Sequence, residues 1–353
     1  REVEVAAAVV DRAELAPGRL VLVEERPGGP IELSLRHPSG TTPIVIGAGA
    51  LDVARERCAD WVSGRTLFVV STPRVRALHG LALDPWRAAA ARVVELEVEE
   101  GEPAKTLATA ERLWRAMLAT GGKRDSRVLA FGGGSVGDLA GFAASCFLRG
   151  IGVAQVPTTL LAQADAAIGG KTAVDLPEAK NTVGAFHHPD LVVAEAAFLG
   201  TLPPAELRSG LVEVIKIAAL FDLELLARIE GNLPALLGGD VSALGTMAAA
   251  SAALKVQVVE SDPAESSDAG ERRLLNFGHT LGHALETVLE YRGLRHGEAV
   301  AYGLLFATRL AVTRGFAAAD AERLRHLLGR LGLPPLPALP ASALMAAMAR
   351  DKK

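Results

Sequence analysis

The chain has 353 residues, half of them hydrophobic, with a formal net charge of −4 and a pI of about 6.1. That length suits two domains, and the acidic balance argues against nucleic acid or an anionic membrane as a partner. No run reaches the ~18 apolar residues of a membrane span and no signal peptide is apparent, so we expect a cytoplasmic protein. The two cysteines, Cys58 and Cys146, have no recurring spacing and are predicted to be small buried hydrophobic residues, not a disulfide framework or a thiolate metal site.

The first half of the chain alternates short apolar runs with segments of helical spacing. Residues 1–40 are weakly patterned and predict only short strands. Strands are then predicted at residues 43–47, 66–70, 93–98 and 128–131, with helices at 51–63, 83–92 and 106–120 between them. This alternation predicts a parallel sheet covered on both faces, which is an α/β architecture.

After about residue 188 the pattern changes to long helices with few strand-like segments. Helices are predicted at residues 207–229, 241–259, 274–289, 297–313 and 319–331. We therefore predict an α/β domain over residues 1–188 and an all-α domain over residues 189–353.

A glycine-rich turn follows the predicted strand at residues 128–131. The sequence VLAFGGGSVGD indicates strand, turn and helix. Gly132, Gly133 and Gly134 are predicted to take positive φ and to let the backbone approach a ligand, while a helix beginning near Ser135 would direct free N–H groups to the same place. The turn lacks the G-x-G-x-x-G pattern and does not follow the first strand. It predicts a pyrophosphate site, with a merely tight strand–helix turn as the alternative.

An acid and several histidines occur on predicted helices of the second half. Glu213 lies in SGLVEVIKIAAL, His279 and His283 are four residues apart in NFGHTLGHALE, and His296 begins the next helix. One glutamate and two histidines can bind a metal ion while leaving positions open for substrate oxygens. The alternative is structural histidines in a core, because H-x-x-x-H alone is not specific and lacks the glutamate of zinc proteases. Two histidines at this spacing beside Asn276 and Glu286, in a helix otherwise rich in small and apolar residues, favour the metal site.

Basic and amide side chains occur in stretches that otherwise look buried. An unpaired cation is costly there, and a bound phosphate or carboxylate would pair it. Gly169-Gly170-Lys171-Thr172 is predicted to be a loop that reaches an anion, and Lys216 follows Glu213 by three residues on one helix face. The basic and amide side chains are Arg149, Lys171, Lys180, Asn181, Lys216, Lys255 and Arg272, and Asp165 lies among them. Together these residues predict a small, strongly anionic substrate, against the alternative of ordinary surface charges.

Six motifs resemble the 3-dehydroquinate synthase family of the sugar-phosphate cyclase superfamily, and the resemblance is collinear and covers roughly residues 43–353. They are FGGGSVGDLAGFAAS, VAQVPTTLLAQADAAIGGKTAVD, KNTVGAFHHP, TLPPAELRSGLVEVIK, RRLLNFGHTLGHALE and HGEAVAYG. The resemblance implies an N-terminal Rossmann-like NAD-binding domain and an all-α C-terminal domain that binds metal and substrate, with the active site between them. It also implies a homodimer that uses NAD and Zn²⁺ or Co²⁺.

The implied reaction converts 3-deoxy-D-arabino-heptulosonate 7-phosphate to 3-dehydroquinate and phosphate, in the shikimate pathway of aromatic amino acid biosynthesis. Transient oxidation by NAD is followed by β-elimination of phosphate, re-reduction and intramolecular aldol closure. Because NAD ends as it began, the family resemblance implies a phosphorus–oxygen lyase.

The resemblance also implies a role for individual residues. Glu213, His279 and His296 would be the metal ligands, and His283 would be a catalytic proton carrier. Lys171, Asn181 and Lys216 would hold the phosphate, helped by the partner subunit's Arg149; Lys255, Arg272 and Asn276 would bind the carboxylate and hydroxyls; Asp165 and Lys180 would bridge cofactor and substrate. The implied cofactor-binding residues are Glu102, Lys105, Gly133, Gly134, Ser135, Asp138, Thr158, Thr159, Lys171, Lys180 and Thr201.

Three departures from the family pattern stand out. Ser71-Thr72-Pro73 replaces the family's D-x-N-like stretch, which puts the ribose contact of NAD in doubt. The first forty residues match no family segment, and the chain stops at Asp351-Lys352-Lys353, where one lysine would contact substrate.

Three other functions compete with this one. One is a sister cyclase, such as 2-epi-5-epi-valiolone synthase or 2-deoxy-scyllo-inosose synthase. The substrates of these enzymes have no carboxylate, so we expect the residues at the carboxylate-binding positions to differ. A metal-dependent polyol dehydrogenase would accumulate NADH. A degenerate copy would serve only as a binding or assembly module.

Overall fold

The computed structural model describes residues 29–176, 179–266 and 271–350. The strands are β1 (Ile31–His37), β2 (Gly40–Gly47), β3 (Thr66–Ser71), β4 (Arg92–Glu97), β5 (Arg127–Gly132), β6 (Gly152–Pro157), β7 (Lys171–Leu176), β8 (Ala179–Phe186) and β9 (Leu191–Glu195). The helices are α1 (Ala50–Val53), α2 (Arg55–Val62), α3 (Pro73–His79), α4 (Asp84–Ala89), α5 (Leu107–Ala119), α6 (Gly134–Cys146), α7 (Pro204–Phe221), α8 (Leu223–Leu237), α9 (Val241–Ser261), α10 (His279–Val288), α11 (His296–Val312), α12 (Ala318–Gly329) and α13 (Ala341–Met348).

The described residues divide into two compact units. The sheet unit takes the described residues up to Leu202 together with Asp240–Glu260, and the helical unit takes Pro203–Gly239 and the described residues from Ser261 onward. The domain boundary at residues 188 and 189 stays a prediction.

A seven-stranded sheet forms the centre of the sheet unit. Its strand order is β1-β2-β9-β6-β5-β3-β4, and every neighbouring pair is parallel except β1 with β2. Alternate residues of β3 enter opposite cores, with Phe68 and Val70 on one face and Leu67 and Val69 on the other. Apolar residues on both faces of a strand require cover on both sides, and this confirms the predicted α/β architecture.

The predicted strands of the first half are present, with small shifts at their ends. The predicted helix at residues 51–63 is divided into α1 and α2, and the one at 83–92 ends early as α4. Helix α3 was not predicted: Thr72 caps it by accepting a hydrogen bond from Val75 N at 3.3 Å, and Pro73 is its first residue. Ser71-Thr72-Pro73 is therefore a strand-to-helix junction.

The two cysteines differ in exposure. Cys58 is buried, and burial raises the pKa of its thiol to about 12. Cys146 is exposed at the end of α6, so the prediction of two buried cysteines is wrong for Cys146.

Strand β1 confirms one short strand before residue 40, while residues 1–28 lie outside the described residues.

Helices are the only regular elements among the described residues of the helical unit. The predicted helix at 207–229 is two helices, because the Asp222 side chain accepts hydrogen bonds from Glu224 N and Leu225 N at 2.9 Å and starts α8. The predicted helix at 274–289 begins as a short 3₁₀ segment, Glu271–Asn276, and Gly278 at φ 81° precedes α10. The other predicted helices are present, with α13 as an addition. Strand β9, Leu191–Glu195, departs from the prediction, because it lies within the segment predicted to be all-α and is part of the seven-stranded sheet.

Helix α9 is long and apolar enough to cross a membrane by length and composition. However, 61% of its most apolar window is buried inside the protein, and it belongs to the sheet unit. A buried core helix gives the same signal, so this helix is weak evidence for a membrane span.

Candidate functional site

Glu213 is a fully buried acid on α7. Its side chain is 0% exposed, and neither carboxylate oxygen has a hydrogen-bond partner of good geometry. The Lys216 ammonium, one helical turn later, forms an ion pair with Oε2 and donates a hydrogen bond to Leu275 O at 2.5 Å. The other oxygen, Oε1, faces two imidazoles. A buried carboxylate in such surroundings is stabilised by a cation.

His279 and His296 face this carboxylate from the first residues of α10 and α11. Their Nε2 atoms lie 3.7 Å and 3.8 Å from Glu213 Oε1. The other ring nitrogen is held in each case: His279 Nδ1 lies 3.3 Å from Phe277 O, and His296 Nδ1 lies 3.1 Å from Glu286 Oε2. Hydrogen bonds at Nδ1 orient the rings and leave the Nε2 lone pairs directed at Glu213.

The three ligand atoms fit one divalent cation. A metal ion at about 2.0–2.2 Å from each ligand needs ligand atoms that lie about 3–4 Å apart. The donor atoms of Glu213, His279 and His296 all lie within 4.8 Å of one another. The residues present therefore fit Zn²⁺ or Co²⁺, and three protein ligands leave positions open for substrate oxygens.

His283 is adjacent to this group, one turn after His279 on α10. Its ring centroid lies 5.3 Å from that of His279 and 5.9 Å from that of His296. His283, Glu286 and His296 form a second possible ligand group. Glu286 already contacts His296 Nδ1, which makes it an orienting partner, whereas the Glu213 oxygens have no such hydrogen bond. We therefore take the Glu213 group as the candidate metal site.

Two glycines of α11 allow these helices to converge. A Cβ on Gly297 would lie 2.0 Å from Ser209 O on α7, and a Cβ on Gly303 would lie 1.8 Å from Gly278 O at the start of α10. Gly297 N also donates a hydrogen bond to Ser209 Oγ at 3.0 Å. Close backbone contact on both sides of α11 brings the three predicted ligands together.

Arg272 and Asn276 lie in the 3₁₀ segment that precedes α10. The Arg272 side chain is buried, with its guanidinium donating hydrogen bonds to Asp262 O at 3.2 Å and to Pro263 O. Asn276 Nδ2 donates a hydrogen bond to Glu265 Oε1 at 2.7 Å. These contacts fix both side chains within the helical unit, but they do not test the predicted contact with a substrate carboxylate.

A polar network around Lys105 brings together several predicted cofactor-binding residues of the sheet unit. Lys105 Nζ donates hydrogen bonds to Asp138 Oδ2 at 2.9 Å, Asn181 Oδ1 at 2.6 Å and Glu102 Oε1 at 3.3 Å. Lys180 Nζ forms an ion pair with Glu102 Oε1 at 2.9 Å. Residues predicted to bind NAD and residues predicted to bind substrate therefore share one network.

The charges of this network shift one another's pKa. Burial opposes ionisation of Lys105, but the Asp138 and Glu102 carboxylates outweigh it and raise the pKa of its ammonium. Burial likewise disfavours the Glu102 carboxylate, yet Lys105 and Lys180 lower the pKa of Glu102 to about 2. Burial raises the pKa of Asp138. With a pKa of about 2, Glu102 is therefore a carboxylate near neutral pH.

Asp165 and Lys255 form a second polar pair in the sheet unit. Asp165 lies in a π-helical turn, Ala162–Ala166, and Lys255 lies on α9. The ammonium forms an ion pair with the Asp165 carboxylate and donates a hydrogen bond to Asp165 O at 2.5 Å. Two residues predicted to act on different parts of the substrate thus contact each other.

The glycine-rich turn connects β5 to α6 as predicted, but the predicted backbone conformation is wrong. Gly133 has φ −76°, and none of the three glycines has positive φ. They are needed for close packing: a Cβ on Gly132 would lie 2.8 Å from Val136 Cγ2, and one on Gly133 would lie 3.1 Å from Thr159 Cγ2. The turn thus permits a close approach without left-handed backbone.

Several predicted cofactor-binding residues lie at the carboxyl ends of parallel strands, where α/β folds bind their ligands. Thr158 N donates a hydrogen bond to Gly132 O at 2.9 Å, and Thr159 Oγ1 accepts one from Ala162 N at 3.2 Å. Ser135 lies in the first turn of α6, and Thr201 Oγ1 lies 2.9 Å from His79 Nε2.

Two further predicted residues, Lys171 and Arg149, lie at the protein surface. Lys171 is exposed and begins β7, so the predicted loop ends at Gly170, where Gly169 and Gly170 have φ 105° and 67°. Arg149 is exposed at φ 69°, at the end of a 3₁₀ segment. Lys352 and Lys353 lie outside the described residues.

Three acids with structural connections to the site are not among the predicted site residues. Asp175 belongs to the Lys105 network, Glu286 holds His296, and Glu265 holds Asn276. In the sequence, Glu286 supports the metal site only as a neighbour of the histidines. A charged residue inside an apolar strand, as in KTAVDL, was the available signal for Asp175.

Comparisons with known proteins give matches along most of the chain. The family described as 3-dehydroquinate synthase N-terminal matches residues 95–209, and the family described as 3-dehydroquinate synthase C-terminal matches residues 210–353. The 3-dehydroquinate synthase of Pelotomaculum thermopropionicum is 43% identical over 294 residues, which are 83% of this chain and 78% of the relative.

Two solved structures are also similar. A 2-deoxy-scyllo-inosose synthase complexed with carbaglucose-6-phosphate, NAD⁺ and Co²⁺ is 26% identical, with a TM-score of 0.80 and coverage of 91% of this chain and 87% of that one. The 2-epi-5-epi-valiolone synthase of Streptomyces hygroscopicus subsp. jinggangensis 5008, with NAD⁺ and Zn²⁺ bound, is 31% identical, with a TM-score of 0.80 and coverage of 90% and 87%.

Proposed function

The chain belongs to the 3-dehydroquinate synthase family, and we propose that it converts 3-deoxy-D-arabino-heptulosonate 7-phosphate into 3-dehydroquinate and phosphate. The observation that carries the proposal is the convergence of Glu213, His279 and His296, whose donor atoms lie within 4.8 Å of one another. Similar cyclases contain NAD⁺ with Co²⁺ or Zn²⁺, and the donor set of this chain suits either metal. The overall reaction is that of a phosphorus–oxygen lyase.

Each cofactor supplies a distinct part of the chemistry. When bound, NAD would take a hydride from the substrate and return it, and the cation would lower the pKa of the substrate hydroxyl to be oxidised. Glu213, His279 and His296 would hold the cation. The Lys105 network, the glycine-rich turn and Thr158 with Thr159 would hold NAD.

The histidine next to the metal ligands is suited to move a proton. His283 packs against both ligand imidazoles, yet it is separate from the Glu213 group. We assign it the proton carrier's role during loss of phosphate. A positioned imidazole contributes about 10²- to 10⁴-fold to such a step.

The cationic residues would bind the two anionic ends of the substrate. Lys171, Lys216 and the Asn181 amide, with the partner subunit's Arg149, would hold the phosphate, and the positive charge of the lysines and the arginine would stabilise it as it leaves. Lys255, Arg272 and Asn276 would bind the carboxylate, while Asp165 and Lys180 would bridge substrate and cofactor. The Arg149 assignment requires a homodimer, and we propose that state together with a cytoplasmic location.

A turnover assay with purified protein, NAD⁺ and Zn²⁺ or Co²⁺ tests the proposal. We expect phosphate release with the seven-carbon acid phosphate, no net NADH, and much slower release with sedoheptulose 7-phosphate, which has no carboxylate. Faster release from sedoheptulose 7-phosphate would indicate a sister cyclase, and accumulation of NADH would indicate a polyol dehydrogenase. Absence of turnover despite bound metal and NAD would indicate a binding module.

A further inference from the structure

Asp175 occupies an irregular point in the hairpin formed by β7 and β8. The register pairs Val174 with Val183 and Leu176 with Ala179, so one residue of β7 lies opposite three of β8. Irregularities of this kind bend a strand and redirect the side chains around them. Here the redirected residues include Lys180 and Asn181, to which the proposed function gives roles in binding.

The Asp175 carboxylate holds the conformation of Asn181. Its Oδ1 accepts a hydrogen bond from Asn181 N at 2.7 Å. Asn181 has φ 51°, in the left-handed region, which asparagine tolerates better than most residues. The hydrogen bond compensates for this unusual backbone, and the Asn181 side chain then reaches Lys105 Nζ at 2.6 Å.

Asp175 also contacts the Lys105 segment through both its main chain and its side chain. Asp175 N donates a hydrogen bond to Lys105 O at 2.7 Å, and Oδ1 lies 3.9 Å from Lys105 Nζ. The groups that face it are the ammonium of Lys105 and the carboxylate of Glu102, with Lys180 bound to Glu102. Asp175 thus connects the hairpin to the segment that contains Glu102 and Lys105.

We propose that Asp175 is a positioning residue of this enzyme: it fixes the hairpin turn that carries Lys180 and Asn181 and aligns that turn with Lys105. The proposal rests on the proposed function, which assigns these three residues to substrate and NAD. Asp175 itself acts through its neighbours. Burial and the Glu102 carboxylate, opposed by Lys105, raise the pKa of Asp175 to about 6, so its charge also changes near neutral pH.

Two substitutions separate positioning from general stability. In Asp175→Asn, the amide oxygen can still accept the Asn181 N–H, and the amide nitrogen can donate to Glu102. In Asp175→Ala, both interactions are lost. We expect Asp175→Ala to raise KM for the acid phosphate and Kd for NAD⁺ by about 10- to 100-fold through misplacement of the binding groups, and Asp175→Asn to recover most of that loss.

Asp190→Asn is the matched control. Asp190 also belongs to the sheet unit and accepts a hydrogen bond from Trp61 Nε1 at 2.8 Å, but it precedes β9 and so lies at the opposite, amino end of the parallel strands. We expect this variant to change the unfolding temperature and leave KM and Kd unchanged.

The measurements are steady-state kinetics, calorimetric titration with NAD⁺, metal content and thermal unfolding of each full-length variant. Zinc content should stay equal in all of them, since the ligands lie in the helical unit. KM and Kd values for Asp175→Ala within twofold of those for Asp190→Asn would overturn the proposal. If wild-type protein binds NAD⁺ but shows no turnover, the proposed function fails, and the Kd comparison alone decides the role of Asp175. If Asp175→Ala fails to fold, the steady-state kinetics of Asp175→Asn are measured as a function of pH. A shift of the acidic side of its pH–rate profile relative to wild type supports the proposal, and an unchanged pH–rate profile overturns it.

Discussion

At the scale of single residues, the candidate metal site depends on groups that do not themselves touch a cation. His296 Nδ1 contacts Glu286 Oε2 at 3.1 Å, and His279 Nδ1 faces Phe277 O at 3.3 Å. Partners of this kind set the tautomer and the ring orientation of a ligand histidine. The two imidazoles therefore differ in the charge of the group that orients them, because a carboxylate contacts Nδ1 of one ring and a neutral carbonyl contacts Nδ1 of the other.

Replacing Glu286 tests this difference. Glu286→Gln keeps the size of the side chain but removes the negative charge that strengthens His296 as a ligand. We expect metal affinity to fall about 10- to 100-fold, as measured by competition with a chromogenic chelator. Glu290→Gln is a suitable control, because Glu290 follows α10 and is not in either candidate ligand group. Equal affinity in the two variants would contradict the orienting role.

His283→Ala and Glu213→Ala should affect chemistry and metal binding separately. His283→Ala should keep stoichiometric metal while phosphate elimination slows by ~10²-fold or more, because only the proton carrier is lost. Glu213→Ala should lose the metal. Elemental analysis and a phosphate-release assay measure the two effects. Full turnover by His283→Ala, or stoichiometric metal in Glu213→Ala, would refute the respective assignment.

At the scale of secondary structure, the sequence predicted the elements whose pattern is strong and local. The apolar runs of β3 and β5 and the helical spacing of α5 and α9 identify those segments, with end shifts of a few residues. The hairpin β7–β8 was not predicted, because the polar residues of KTAVDL and AKNTVGAF interrupt a simple alternation of apolar and polar side chains. Its form depends on contacts with residues about seventy positions earlier, such as Lys105.

The site was predictable to the extent that long motifs identified it. The convergence of Glu213, His279 and His296 agrees with the ligand set that the family resemblance implies. The positive φ expected in the glycine-rich turn was wrong, since those glycines serve close packing and Gly133 stays at φ −76°. Composition alone does not tell which of these two properties of glycine a turn uses.

The packing of α11 gives a prediction at this scale. Gly303→Ala would place a Cβ 1.8 Å from Gly278 O, and main-chain atoms cannot move aside as a flexible side chain can. We expect a loss of about 3 kcal/mol or more in stability, with weakened metal binding because α10 and α11 separate. Thermal unfolding and metal titration measure both effects.

Gly231→Ala is the matched control for that change. Gly231 lies within α8, and a Cβ there would meet nothing within 4 Å. This substitution should stabilise the protein by about 0.5–1 kcal/mol, because alanine favours helix. A Gly303→Ala variant as stable as Gly231→Ala would show that α11 can shift without consequence.

At the scale of the whole molecule, the formal net charge of −4 does not show that acidic and basic side chains form local ion-pair networks. The Lys105 network contains carboxylates with opposite responses to pH. Lys105 and Lys180 lower the pKa of Glu102 to about 2 against the effect of burial, so its stabilising effect is present above its usual pKa and is lost as pH falls toward 2. Burial raises the pKa of Asp175 to about 6. The contribution of Asp175 to the free energy of unfolding is therefore present at low pH and is lost as pH rises through 6.

This second effect predicts how Asp175→Asn changes the stability profile. Wild-type protein loses stability between pH 4 and 7 as Asp175 ionises. Asparagine cannot ionise, so the variant does not show this loss. We expect the free energy of unfolding of the variant, relative to wild type, to rise by roughly 1–3 kcal/mol between those pH values. Chemical unfolding at each pH measures it. A constant difference across this range would show that Asp175 titrates normally.

The order of segments along the chain has a consequence for synthesis on the ribosome. The sheet unit is not continuous: Asp240–Glu260 belongs to it, although Pro203–Gly239 comes first and belongs to the helical unit. Synthesis proceeds at ~5–20 residues per second, so helix α9 is made some seconds after Leu202. This is the last helix of the sheet unit, and it brings Lys255 to Asp165. During that interval the apolar surface that α9 will cover is available to chaperones, and a gene split after Leu202 would yield a first fragment that needs the second to complete its core.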